Sequence, residues 1–118
     1  MQVGIDIEDN NRFIDYVDNE DKLNKIFTIR EIEYFFQYSS RLDHITGNFC
    51  AKEAVAKALK TGFGGAINLK DIEILHTKDR VPYVNLDNQK LQNLLQNKKI
   101  DISISHTDKI STAICVIS

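Results

Sequence analysis

The chain predicts an α+β fold in which an antiparallel sheet packs against helices. Three observations carry this expectation. The 118 residues, 42% hydrophobic and 27% charged, suit one globular domain over residues 1–118. Period-two segments open the chain and dominate its second half, while helix-spaced segments fill the stretch between. A single proline and five glycines leave no linker.

The elements follow in order. Gln2 to Glu8 alternates, with Val3, Ile5 and Ile7 on one parity and Gly4, Asp6 and Glu8 on the other. That pattern predicts a strand buried on its isoleucine face, with a carboxylate on its polar face. Asn10 to about Asn24 reads as a helix whose apolar side is Phe13, Ile14, Tyr16 and Val17. Thr28-Ile29-Arg30-Glu31 is a capping box and starts a second helix through Ile32, Tyr34 and Phe35. A third helix runs from about Arg41 to Lys60, buried along Phe49, Val55, Ala58 and Leu59, and ended by Gly62, Gly64 and Gly65. Asp71 to His76 and Pro82 to Leu86 read as paired strands, and Asp87 as the cap of a short helix carrying Leu91, Leu94 and Leu95. Ile100 to Ser105 alternates, and Thr112 to Ile117 is apolar on both parities, as a central strand is; the two form a hairpin.

Composition narrows the function classes. No apolar run approaches the 18 residues or so of a membrane span. The opening MQVGIDIEDN lacks the basic-then-apolar order of a secretory signal, so the expected location is the cytoplasm. Cys50 and Cys115 are far apart in apolar contexts and read as buried free thiols. A net charge of −2 gives no case for nucleic-acid binding.

Four stretches could carry chemistry. GIDIEDN crowds Asp6, Glu8 and Asp9 with no base before Arg12, so a positive partner is expected; a divalent cation is one candidate. Glu53 and Lys57 are four apart on one helix face. They are either an ordinary ion pair worth roughly 0.2–0.5 kcal/mol, or a metal-binding carboxylate with a phosphate-binding lysine. Mg²⁺ takes one or two carboxylates and fills its shell with water and phosphate oxygens, so Asp6 and Glu53 would suffice. TGFGG, Thr61 to Gly65, is a helix cap or a nest of backbone N–H groups for phosphate; it lacks the lysine of a P-loop. His106, in SISHT, has the parity of the strand's isoleucines and is either a rim residue or a site residue. Ser105 points to the opposite face, which argues against a hydrolytic triad. His44, His76 and His106 have no zinc-type spacing.

These stretches occur in a telling order. GIDIEDNNRF resembles the G-x-D-x-x-x-x-x-R-F block of bacterial holo-acyl-carrier-protein synthases, FCAKEAVAKAL their F-x-x-K-E-A-x-x-K-A block, and SISHT their S-x-S-H-T block. PYV, at Pro82 to Val84, matches a shorter segment between the last two. The resemblance covers essentially the whole chain. It implies a 4′-phosphopantetheinyl transferase fold and transfer of 4′-phosphopantetheine from coenzyme A to a serine of apo-acyl carrier protein. Adenosine 3′,5′-bisphosphate leaves, and the carrier becomes active for fatty acid synthesis. It further implies Mg²⁺ held by Asp6 and Glu53, coenzyme A phosphate at Lys57, and a coenzyme A site lined by Thr61, Gly62, Pro82, His106 and Thr107. Arg12 would face the carrier protein, and the assembly would be a homotrimer with sites between subunits. In that setting the small alanines of the long helix fit a close approach of coenzyme A and a neighbouring subunit. The candidate base for the serine proton is Glu53, or a metal-bound water held by Glu8 or Glu53.

The chain also departs from the family pattern. Asn48 stands where the family usually has arginine, and Lys60 where glycine is usual. Arg80-Val81 precedes Pro82 in place of glycine and a base. Asn48 removes a plausible phosphate contact that Lys60 is expected to replace. The first helix carries Asp15, Asp18, Glu20 and Asp21, although the acidic carrier should meet a basic surface. A non-catalytic module of the same fold and a small diphosphate phosphohydrolase are the competing readings.

Overall fold

The computed structural model describes residues 1–118. Strand β1 (Gln2–Asp9) leads through a 3₁₀ turn (Asn10–Tyr16) into α1 (Glu20–Ile26), α2 (Ile29–Phe36) and the long α3 (Leu42–Leu59). A second 3₁₀ turn (Leu69–Asp71) precedes β2 (Ile74–His76) and β3 (Pro82–Val84); α4 (Gln89–Leu95), β4 (Ile100–His106) and β5 (Ile110–Ile117) complete the chain. The strands form two antiparallel sheets, β1-β5-β4 and β2-β3. This is the expected α+β architecture, with β5 central.

The sheet packs on α3, and here β1 reverses the expectation. Its apolar face is exposed: Val3, Ile5 and Ile7 are 52%, 62% and 61% accessible. Its polar parity, Gly4 and Asp6, is buried against α3. The reason is steric. A methyl group on Gly4 would lie 2.0 Å from the Ala54 carbonyl oxygen and 2.6 Å from the Ala58 nitrogen. Only glycine on the strand and alanines on the helix permit this approach, so Ala54 and Ala58 are small because β1 crosses them.

Helix α3 is buried nearly all round, with the sheet on one side and an aromatic cluster on the other. That cluster joins Phe13, Leu23, Phe27, Ile32, Phe35, Ile45 and Phe49. The predicted first helix is split. Asn10 is tied to the far hairpin through its N–H to the Lys109 carbonyl and its side chain to Ser111, which holds residues 10–16 in 3₁₀ form. Asn19 then starts α1 by accepting the Lys22 N–H. The capping box at Thr28 and Glu31 is present. Lys60, not a glycine, takes the left-handed turn that ends α3 (φ 63°); Gly62 and Gly64 lie beyond it. Asn88 rather than Asp87 caps α4, accepting the Leu91 N–H.

One feature escaped the sequence reading. Lys52 and Glu31 form a fully buried ion pair at 2.8 Å. Lys52 Nζ also donates to the Leu69 and Ile72 carbonyls, and Glu31 accepts the Thr28 and Ile74 N–H groups. Burial pushes the glutamate up and the lysine down, and each charge pulls its partner back. The pair ties α2, β2 and the second 3₁₀ turn to α3, one residue before Glu53.

Candidate active site

Three elements build the site. β1 delivers Asp6 to the face of α3, because Gly4 two residues earlier forces the same parity inward. Residues 53 and 57 of α3 share one helix face and meet Asp6 there. Lys57 Nζ donates to Asp6 Oδ1 and to the Ile5 carbonyl, both at 3.0 Å. Of the two readings of Glu53 and Lys57, the ordinary ion pair is not formed, because Asp6 takes the lysine. Glu8 is likewise taken by Arg12 at 2.6 Å. The crowded carboxylates thus find two of the positive charges they require within the chain.

Glu53 is the carboxylate left over, with neither an ion-pair nor a hydrogen-bond partner in the protein. Its carboxyl is held above the usual range first by burial, then by the Asp6 charge; Lys57 and Arg12 pull it back. Asp6 Oδ2 is buried and unpartnered. An orphaned buried oxygen beside an uncommitted carboxylate is a donor set for a hard cation. No cluster of three or more His, Cys, Asp or Glu side chains surrounds it. A pair of carboxylates fits Mg²⁺, whose remaining positions are water and phosphate oxygens.

The loop after α3 offers a second orphan: the Thr61 hydroxyl is buried without a partner. Gly62 follows at φ 62°, with open space around its Cα. Both adjoin the end of α3 that carries Lys57.

His106 and Pro82 lie elsewhere. His106 Nε2 is 3.3 Å from Asp43 Oδ2 at the start of α3. Asp43 and Glu53 are ten residues apart, about 15 Å along the helix. The chain therefore gathers Asp6, Glu53 and Lys57 at one place, with Thr61 and Gly62 past the same end of α3, and has His106 and Pro82 at another, with Thr107 beside His106. Around the second, a cavity of about 260 Å³ is lined by all three histidines with Asp43, Arg80 and Pro82 among its walls. His76 stacks on Tyr34 at 3.9 Å and His44 on Tyr38 at 3.7 Å. Burial pushes the His76 ring down to about 4. The buried Asn48 also lines this cavity and reaches the Ile74 carbonyl. Lys60 does not replace the missing arginine there, since it lies twelve residues, about 18 Å of helix, further on. Arg80 is the cation on that wall. Thr107 uses its hydroxyl to accept the Lys109 and Ile110 N–H groups, which closes the β4–β5 turn.

Comparison with known proteins now bears on this arrangement. A family model described as the 4′-phosphopantetheinyl transferase superfamily matches residues 2–115. The chain belongs to that superfamily. Among curated relatives, a holo-[acyl-carrier-protein] synthase of Clostridium botulinum (strain Eklund 17B / Type B) is 49% identical over 100 residues, covering 81% of this chain and 80% of the relative. The holo-[acyl-carrier-protein] synthase of Aquifex aeolicus is 34% identical, covering 98% and 96%. The phosphopantetheinyl transferase fold is equally evident in solved structures. The Helicobacter pylori holo-[acyl-carrier-protein] synthase, crystallised in complex with coenzyme A, superposes with a TM-score of 0.84 at 28% identity over 98% of this chain and 99% of that one. The Neisseria meningitidis synthase gives 0.85 at 27%, covering 99% and 97%.

Proposed function

We propose that this phosphopantetheinyl transferase moves 4′-phosphopantetheine from coenzyme A to a serine of apo-acyl carrier protein, releasing adenosine 3′,5′-bisphosphate. The observation that carries the reading is the cluster of Asp6, Glu53 and Lys57, with one aspartate oxygen orphaned and one glutamate uncommitted, in a chain whose relatives are named for this reaction.

The reaction forms a bond from the serine oxygen to the β-phosphorus and breaks the bridging P–O bond of the pyrophosphate. Positioning and charge stabilisation do most of the work. Asp6 and Glu53 would hold Mg²⁺, which when bound polarises the attacked phosphate and neutralises its charge. Lys57 meets the charge that gathers on the leaving bisphosphate. The serine proton goes to Glu53, which has no partner in the protein, whereas Glu8 is already engaged by Arg12. Thr61 and Gly62 supply a hydroxyl and an open backbone to the donor. Arg12, half-exposed over the Phe49 ring, meets an acidic carrier at the mouth of the site.

Assembly belongs to the same reading. The outward face of β1 and β5 sets Val3 beside Val116 and Ile5 beside Ile114, and runs into a concavity of about 670 Å³ between Leu86, Ile100 and Ile114. An apolar sheet face of this kind marks a protein–protein interface. A homotrimer built on it would bring the His106, Thr107 and Pro82 end of one subunit to the Asp6 cluster of another. No helix is long and apolar enough to cross a membrane, and the chemistry suits the cytoplasm, where coenzyme A and carrier protein meet.

One experiment tests the reaction. The protein is incubated with coenzyme A, Mg²⁺ and an apo-acyl carrier protein, and the carrier is weighed by mass spectrometry. The expected result is a gain of one phosphopantetheine, nearly abolished by Glu53→Gln. Cleavage of coenzyme A with no gain on the carrier would replace this reading with hydrolysis.

A further inference from the structure

The arrangement around Asp6 has fewer cations than its carboxylates need while no metal is bound, and more than they need once a divalent cation is added. Three carboxylates, Asp6, Glu8 and Glu53, face two protein cations. Arg12 is committed to Glu8, and Lys57 to Asp6. Lys57 holds Asp6 Oδ1 and the Ile5 carbonyl and leaves Asp6 Oδ2 without a partner, although a neighbour one turn back on its own helix, Glu53, is free. Its side chain is 54% exposed, so it is not packed into this position and can leave it. Asp6 is held differently: its side chain is 10% exposed, its backbone carbonyl accepts the Thr112 hydroxyl, and the strand beneath it is locked against α3 at Gly4. The carboxylate stays and the ammonium moves.

We propose that Lys57 is a placeholder cation: in the metal-free protein its ammonium neutralises Asp6, and occupation of the site by a divalent cation releases it to the donor's phosphate. The inference rests on the reading of Asp6 and Glu53 as metal ligands and of Lys57 as a phosphate contact. Its content is that one side chain serves both ends of the exchange. Before binding, the lysine competes with the metal for Asp6. After binding, the same ammonium is repelled by the divalent charge and is held close by by its helix, within reach of an anionic donor. Metal and donor therefore favour each other's binding, and by linkage each raises the affinity of the other by the same factor.

The test uses Mn²⁺ alone as the probe, titrated into metal-free protein and followed by electron paramagnetic resonance. Removing the competitor in Lys57→Met should tighten Mn²⁺ binding roughly 5-fold or more, the low end of ordinary coupling between sites. Lys57→Arg keeps a cation on Asp6 and should stay near the wild-type affinity. Asp6→Asn should lose the site. Repeating the titration with adenosine 3′,5′-bisphosphate present should tighten Mn²⁺ binding in the wild type and have a smaller effect in Lys57→Met. Equal or weaker Mn²⁺ binding by Lys57→Met overturns the proposal. So does equal tightening in Lys57→Arg, because charge would then not be what competes. Thermal melts of each variant confirm that folded protein is titrated. Neither carrier nor turnover enters this experiment, so it can fail while the carrier gains mass, or succeed where the carrier does not.

Discussion

The contact between Gly4 and α3 makes the strongest claim on the molecule, and Gly4→Ala tests it. The new methyl group would sit 2.0 Å from the Ala54 oxygen and 2.6 Å from the Ala58 nitrogen. Both are backbone atoms of a helix buried on most of its surface, so neither can rotate away. Side-chain carbons do not approach such atoms within 3.0 Å, and relief requires β1 and α3 to separate by about 1 Å. Overpacking of this kind costs about 3 kcal/mol, the upper end of its usual range. For a chain of this length that lowers the melting temperature by about 12 °C. The same movement carries Asp6 away from Glu53 and Lys57. A misplacement of about 1 Å in a reacting constellation costs on the order of 10²-fold in rate. Thermal denaturation and carrier mass gain, the latter read well below the melting point, separate the two effects. Gly47→Ala is the control: its methyl group would meet only the Ile104 Cγ2 methyl, at 3.0 Å, and a side chain can yield. It should cost under about 1 kcal/mol. A Gly4→Ala protein that melts within about 2 °C of the wild type and transfers at full rate would refute the packing argument and the view that β1 sets the site's geometry.

Other consequences follow from the charges. Glu53 holds its proton more tightly folded than unfolded, so its contribution to stability falls as pH rises through its raised value, and at neutral pH the charged group is a cost. Glu53→Gln should therefore melt higher than the wild type at pH 7 in chelator, while excess Mg²⁺ should stabilise the wild type and not the variant; a lower melting point in chelator would contradict this. His76 is held down at about 4, against 6.5 when free, so the unfolded chain takes up its proton first. Stability falls between pH 6.5 and 4, by about 1–2 kcal/mol once solvent screening of the half-buried ring is allowed for. His76→Phe should flatten that part of the stability profile in denaturant titrations. Lys52→Met strands Glu31 and should cost about 3–5 kcal/mol, whereas Lys52→Met combined with Glu31→Leu should recover much of it. A single variant as stable as the wild type would mean that the buried pair is not held as charges.

How much of this was legible in the sequence depends on the range of the interaction. The helices after Thr28 and Arg41, the two hairpins and the central place of β5 rest on periodicity and on caps within a few residues. They read directly. The face of β1 did not, because alternation says that two faces differ and not which one meets the helix. The usual assumption that isoleucines turn inward fails when a glycine on the other parity is the only residue that lets the helix close in. Asp6 and Glu53 were found as carboxylates, but the contact of Lys57 with Asp6 was not, since the two lie fifty-one residues apart along the chain. Lys52 was passed over because a lysine inside a helix reads as surface, and its carboxylate lies twenty-one residues away. These errors share an origin with the site itself. A register slip of one residue in β1 would bury the isoleucines and turn Asp6 out to solvent. The polar face is turned inward at Gly4, and the same turn leaves an apolar face outside and a carboxylate against the helix. The exposed isoleucines and the buried aspartate are thus two results of one packing choice, and a variant that reverses it should lose assembly and metal binding together.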